Sequence, residues 1–161
     1  MFAEWSNFFV ASAGAAAALT GLLFVGISIN LKQILGHQAL PARAAEALIL
    51  LVSILAFSII SLMPREKISF TGYVFLFLGL LVWLIITRAD IAVYKRTVQQ
   101  YKRIMAYNIL FNQAAVIPYF VGGIWIICCG EQGLYCIGLA FIISFIKAVL
   151  DAWVLLIEIM R

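Results

Sequence analysis

From Phe8 to Leu31 the chain runs for 24 residues without a charged side chain, FFVASAGAAAALTGLLFVGISINL. About 20 consecutive apolar residues suffice to carry a helix across a bilayer core, so this stretch is long enough to span one. Its middle is a block of eight small residues, Ala11-Ser12-Ala13-Gly14-Ala15-Ala16-Ala17-Ala18, with Gly21 and Gly26 further on. Eight residues exceed two helical turns, so small side chains cover every face and neighbouring backbones can come close. The expectation is a thin helix at the centre of a membrane bundle.

Four further runs qualify or nearly so, which places spans at about 8–31, 44–63, 70–87, 109–129 and 134–157. Between them stand turn and charge signals: Lys32 to Arg43 with Gly36 and Pro41, then Pro64 to Lys67, then a basic segment 88–108, then Gly130 to Gly133. Of the 161 residues, 66% are hydrophobic and 11% charged, and mean hydropathy is +1.12. A soluble domain carries about 25% charged residues, so the apolar excess has to face something other than water. With the chain committed to spans, no room remains for a separate soluble domain. The fold class is all-α, a single polytopic membrane domain over residues 1–161 with five transmembrane helices.

The start, Met1 to Glu4, lacks a basic n-region and the apolar run outlasts a signal peptide, so the first span is read as retained. No lipidation pattern is visible at either end. Lys and Arg fix the expected orientation. An outside N-terminus and cytoplasmic C-terminus put Lys32, Arg43, Arg88, Lys95, Arg96, Lys102, Arg103 and Arg161 inside, leaving Arg65 and Lys67 outside. Trp5 and Trp125 then fall at the outer interface, and Trp83 and Trp153 at the inner one, where amphipathic rings sit well.

In the segment 88–108, Ile91, Tyr94, Val98, Tyr101 and Met105 recur at helical spacing. The third span is expected to run on into the cytoplasm and turn back near Thr97 to Gln100. Lys95, Arg96, Lys102 and Arg103 form either a docking surface for anionic lipid or a protein partner, or an ordinary positive-inside loop in helical form. No fold or groove-reading motif for nucleic acid accompanies these charges. There is no internal repeat.

The strongest chemical signal lies in the last span. Lys147, Asp151 and Glu158 share one helical face, and Lys147 sits about 10 Å inside the cytoplasmic edge of the core. Ionisable groups at such depth are costly, pair with one another and mark ion or proton paths. The competing reading is a structural ion pair with a snorkelling lysine. Other spans bring polar groups to the same depth: Asn30, Glu46, Ser53, Arg88, Asp90, Asn112 and Gln113. Two roles are therefore open for them. Lys147, Asp151, Asn30, Asn112 and Gln113 would line an ion or substrate path from a polar inner vestibule. Arg88, Asp90, Glu46 and Glu158 would form inner-side ion pairs. Each polar group is alternatively a hydrogen bond between spans, contributing about 1 kcal/mol.

Pro118, with Gly122 and Gly123 one turn on, predicts a kink in the fourth span, as a hinge or as a static bend. Cys136 is placed to bridge to Cys128 or Cys129 in an oxidising outer compartment, or all three stay as thiols. No metal site or cofactor is expected, since the three cysteines have no histidine nearby. His37, the single histidine, lies in a loop, and the chain is not read as an enzyme.

The stretch Trp5-x-x-Phe8-Phe9, then Gly14-Ala15-Ala16-Ala17-Ala18-Leu19-Thr20-Gly21-Leu22-Leu23-Phe24-Val25 and Ser28-Ile29-Asn30-Leu31, resembles a family of small uncharacterised bacterial integral membrane proteins. The closing Ala152-Trp153-Val154-Leu155-Leu156-Ile157-Glu158-Ile159 is similar to that family's end. The resemblance implies a multi-pass protein of the bacterial inner membrane and brings no catalytic residues. Some members carry a label suggesting modulation of a membrane-bound AAA protease. A chain this small has little interior, so homo-oligomerisation is expected. The expected function is that of a small channel or transporter-like protein or, alternatively, of a noncatalytic regulator or scaffold of a membrane complex acting through its basic helical segment.

Overall fold

The computed structural model describes residues 2–36, 40–63, 68–96, 99 and 102–159, with helices and turns but no strand among them. Helix α1 spans Phe2–Ile29, α2 Leu31–Leu35, α3 Leu40–Leu62 and α4 Ile68–Arg96. Helix α5 spans Lys102–Cys129 and α6 Gly133–Ile159, joined by the 3-10 turn Gly130–Gln132. Gly130 holds φ at 70°, a conformation that costs glycine little and lets the chain reverse there. Among the described residues four segments are long and apolar enough to cross a membrane: Trp5–Ile29, Leu40–Leu62, Phe70–Lys95 and Lys102–Ile157. The last, 56 residues long, contains both α5 and α6.

The basic segment 88–108 is divided between two helices. Helix α4 continues unbroken from the third apolar run to Arg96, and α5 begins at Lys102. The expected turn near Thr97 to Gln100 falls between these two helices, largely on residues outside the described set. Gln99 is described in a 3-10 conformation.

Helices α3, α4, α5 and α6 form a four-cornered bundle. Helix α4 packs on α3 and α5, and α6 packs on α5 and α3. The diagonal pair α3 and α5 meet through long side chains, as in the stack of Phe57 on Tyr119 with ring centroids 4.6 Å apart. Close packing of α4 on α5 depends on missing side chains. A Cβ at Gly123 would come within 2.7 Å of the Leu76 backbone nitrogen, and one at Gly79 within 3.0 Å of that of Phe120. Gly122 is likewise pressed against Ile137 of α6. Pro118 lies within α5, and the helix continues through it.

The expected central place of α1 is not what the structure shows. Helix α1 lies outside the four-cornered bundle, packed along α3, with its first turns on α6. There Trp5 meets Tyr135 edge-on at 5.0 Å and Phe8 stacks on Phe141 at 5.8 Å. Ala11, Gly14, Ala15, Ala18 and Gly21 are exposed. Small residues permit close approach but supply few atoms for dispersion contact. Helix α3 fills the inner position because it carries Leu50, Ile54 and Phe57 on the buried side of the same helix as Ala44 and Ala47. Between the C-terminal halves of α1 and α6 lies an apolar crevice of about 230 Å³, lined by Leu19, Leu23, Gly26, Ile27, Ala148 and Leu155.

Candidate functional site: a polar layer on the bundle axis

Two layers of side chains cross the axis of the four-cornered bundle, one residue or pair from each corner. The first is aromatic. Phe57 of α3, Phe75 of α4, Tyr119 of α5 and Phe141 of α6 are each no more than 1% exposed. Phe57 stands edge-on to Phe75 at 4.9 Å while stacking on Tyr119, and Tyr119 lies 6.0 Å from Phe141. The Tyr119 hydroxyl donates to Ser144 Oγ at 3.0 Å, which answers the one polar atom in that layer.

The second layer is polar and belongs to the other half of the bundle. Glu46 of α3, Asp90 of α4, Asn112 of α5, and Lys147 with Asp151 of α6 are all at least nine-tenths buried. Along α3 the layers are 11 residues apart, about 16 Å of helix. Asn112 joins three corners. Its Nδ2 donates to Asp90 Oδ1 at 2.9 Å and to Glu46 Oε2 at 3.1 Å. Asn108, one turn earlier on α5, donates to the same Glu46 oxygen at 3.2 Å. Lys147 Nζ donates to Asp151 on its own helix, one turn away. The two subclusters share one field: Asp90 interacts with the charges of Glu46, Lys147 and Asp151, and Asp151 with those of Lys147, Glu46 and Arg43.

Such a layer is costly unless its charges are balanced and its lone pairs used. Three acceptor atoms in it have no hydrogen-bond partner among the described residues: Glu46 Oε1, Asp90 Oδ2 and Asn112 Oδ1.

Of the residues expected to line a path, Asn112, Lys147 and Asp151 come together here. Asn30 does not. It sits at the end of α1, where its Nδ2 donates to Gly26 O at 3.0 Å, beside the α1–α6 crevice. Gln113 faces the seam between α4 and α5, accepting from Trp83 Nε1 at 2.6 Å and donating to Thr87 Oγ1 at 3.1 Å. One residue on from Asn112 the helix has turned by about 100°, so the two amides serve different neighbours.

Glu46 and Asp90 belong to the polar layer but hold amides rather than cations within hydrogen-bonding distance. Arg88 is exposed, because a residue two positions from buried Asp90 points about 200° away around the helix. With Ile91, Ala92 and Lys95 it borders a shallow depression on the outer face of α4. The Glu158 side chain lies outside the described residues. Gly122 and Gly123 are used for close helix contact. Cys128 and Cys129 are exposed and Cys136 is partly buried, all as free thiols. Among the described residues no group of three or more His, Cys, Asp or Glu is arranged to hold a metal ion.

Asn108 was not singled out from the sequence. Its signal is its place one turn before Asn112 on the same face. Comparison with protein-family models, with curated proteins and with solved structures finds no match to this chain.

Proposed function

We propose that this is a small transporter-like or channel-like protein, crossing the membrane five times, that moves a small ion through the axis of its four-cornered bundle. The observation that carries this is the polar layer: five ionisable or amide side chains from four helices, buried where each alone would be costly. The aromatic layer closes the axis beyond it. The conformation described is therefore a shut one, and conduction requires Phe57, Phe75, Tyr119 and Phe141 to part.

The packing of α5 against α6 on either side of Gly130 supports reading them as separate crossings, which makes an odd number of spans. The Lys and Arg distribution then puts the N-terminus outside and the polar layer towards the cytoplasm, as a vestibule in the inner half. The resemblance of both ends to bacterial integral membrane proteins supports a bacterial inner membrane as its location. The exposed small-residue side of α1 supports a homo-oligomer, since a Cβ at Gly14 or Gly21 would meet nothing within 4 Å inside one chain.

The test is ion and proton flux in proteoliposomes against empty liposomes. Selective or saturable flux, changed by Lys147→Met and Asp151→Asn, supports the reading; flux indifferent to both variants counts against it.

A second reading is a noncatalytic regulator or scaffold of a membrane complex, a membrane protease for example. It draws on the exposed Arg88, Lys95 and Arg103 at the inner ends of α4 and α5. Crosslinking in native membranes would then recover a specific partner, lost when Lys95, Arg96, Lys102 and Arg103 are neutralised.

A further inference from the structure

The polar layer has an unbalanced charge and a set of unused oxygens, and the two point to the same ligand. Three carboxyl groups, Glu46, Asp90 and Asp151, share their field with two basic groups, Lys147 and Arg43. Lys147 is committed to Asp151 by a direct ion pair. With all five ionised, these groups carry one net negative charge, the half-buried Arg43 reaching the layer through Asp151. That charge lies with Glu46 and Asp90, whose contacts within hydrogen-bonding range are to neutral amides.

The orientation of Asn112 is fixed by those same neighbours. Only Nδ2 can satisfy two carboxylate oxygens at once; a flipped amide would set Oδ1 against both. Asn112 Oδ1 is therefore an acceptor, fully buried and without a partner among the described residues, as are Glu46 Oε1 and Asp90 Oδ2. These atoms come from α5, α3 and α4 and belong to three side chains linked through one nitrogen.

We infer that the bundle axis binds a single alkali metal cation through Glu46, Asp90 and Asn112. One monovalent ion cancels the net negative charge. Carboxylate and amide carbonyl oxygens are the ligand types that hard cations take. A proton would also supply one charge, but it sits between two oxygens and leaves the third acceptor bare. A divalent ion such as Ca²⁺ or Mg²⁺ would overshoot that charge by one. This inference deepens the ion-path reading and rests on it for its role, though binding can be measured without transport. Protons compete for the same carboxylates, so affinity for the cation falls as pH falls.

The experiment uses the purified full-length protein in lipid nanodiscs, with thermal unfolding followed in LiCl, NaCl, KCl or RbCl against choline chloride at fixed ionic strength. The expected result is a saturable rise in midpoint with at least one alkali ion, of about 5 to 10 °C at a hundredfold excess over Kd. Choline gives no rise. Asp90→Asn and Glu46→Gln weaken the apparent affinity at least tenfold, while Ser28→Ala, on the exposed side of α1, leaves it unchanged.

Should either carboxylate variant fail to fold, the comparison of alkali salts with choline on the unmodified protein still decides. Identical unfolding in every salt overturns the site, and so does a midpoint that responds to pH alone, which assigns the charge to a proton. A bound ion without flux keeps the site and removes the transport reading. Flux without any alkali-dependent shift does the reverse.

Discussion

At the scale of single residues, the polar layer divides into a part that holds itself together and a part that does not. Lys147 and Asp151 form an ion pair buried from solvent. Breaking such a pair by removing one partner costs about 3–5 kcal/mol, because the remaining charge is left alone, whereas replacing both with apolar residues is often neutral. Lys147→Met alone is therefore expected to lower the unfolding midpoint sharply, and Lys147→Met with Asp151→Leu to recover most of it. Reversible unfolding in mixed micelles would show this; equal loss in the single and double variants would contradict it. Asn112→Ala removes the donor for Asp90 Oδ1 and one of two donors for Glu46 Oε2, with an expected cost of about 2–4 kcal/mol by the same measurement. Lys147, Asp151 and Asn112 were legible in the sequence because a charge or amide inside an apolar run has to find company. Which company was not. Glu46 and Asn112 are 66 positions apart, and only the packing of α3 diagonally across from α5 brings them together.

At the scale of helices, length and charge carried most of the information. Runs near bilayer length gave the long helices, Gly130 to Gly133 gave the last turn, and the unbroken helical stripe beyond Thr87 showed α4 running on past its apolar part. The rank of α1 was misjudged because small residues look the same whether they admit a neighbour or face outward. The distinction becomes visible in what surrounds each glycine. A side chain at Gly123 collides with the Leu76 backbone, whereas one at Gly14 meets nothing within 4 Å. Gly123→Ala is thus expected to destabilise the fold by about 1–3 kcal/mol, as overpacking does, and Gly14→Ala to leave it within about 0.5 kcal/mol. Thermal unfolding of the two variants side by side tests the arrangement of α4 on α5 and of α1 outside the bundle. A larger loss at Gly14 would reverse both placements.

At the scale of the whole molecule, orientation and assembly decide which compartment the polar layer serves. Cys128 and Cys129 are exposed at the α5–α6 turn, at the far end of the bundle from Glu46 and Asp90. With the N-terminus outside, a membrane-impermeant maleimide added to intact cells should label them; labelling that requires opened cells would invert the topology. Assembly has its own probe in α1. Gly14→Leu, on its exposed side, should shift native-membrane mass measurements from oligomer to monomer while leaving each chain folded. An unchanged oligomer would move the interface elsewhere. Most direct for the ion path is charge displacement on a solid-supported membrane bearing proteoliposomes, after a jump from choline to an alkali ion. The expected result is a saturable transient current in the unmodified protein that disappears in Asp90→Asn. No current with any alkali ion, or a current identical in Asp90→Asn, would contradict an ion path through the polar layer.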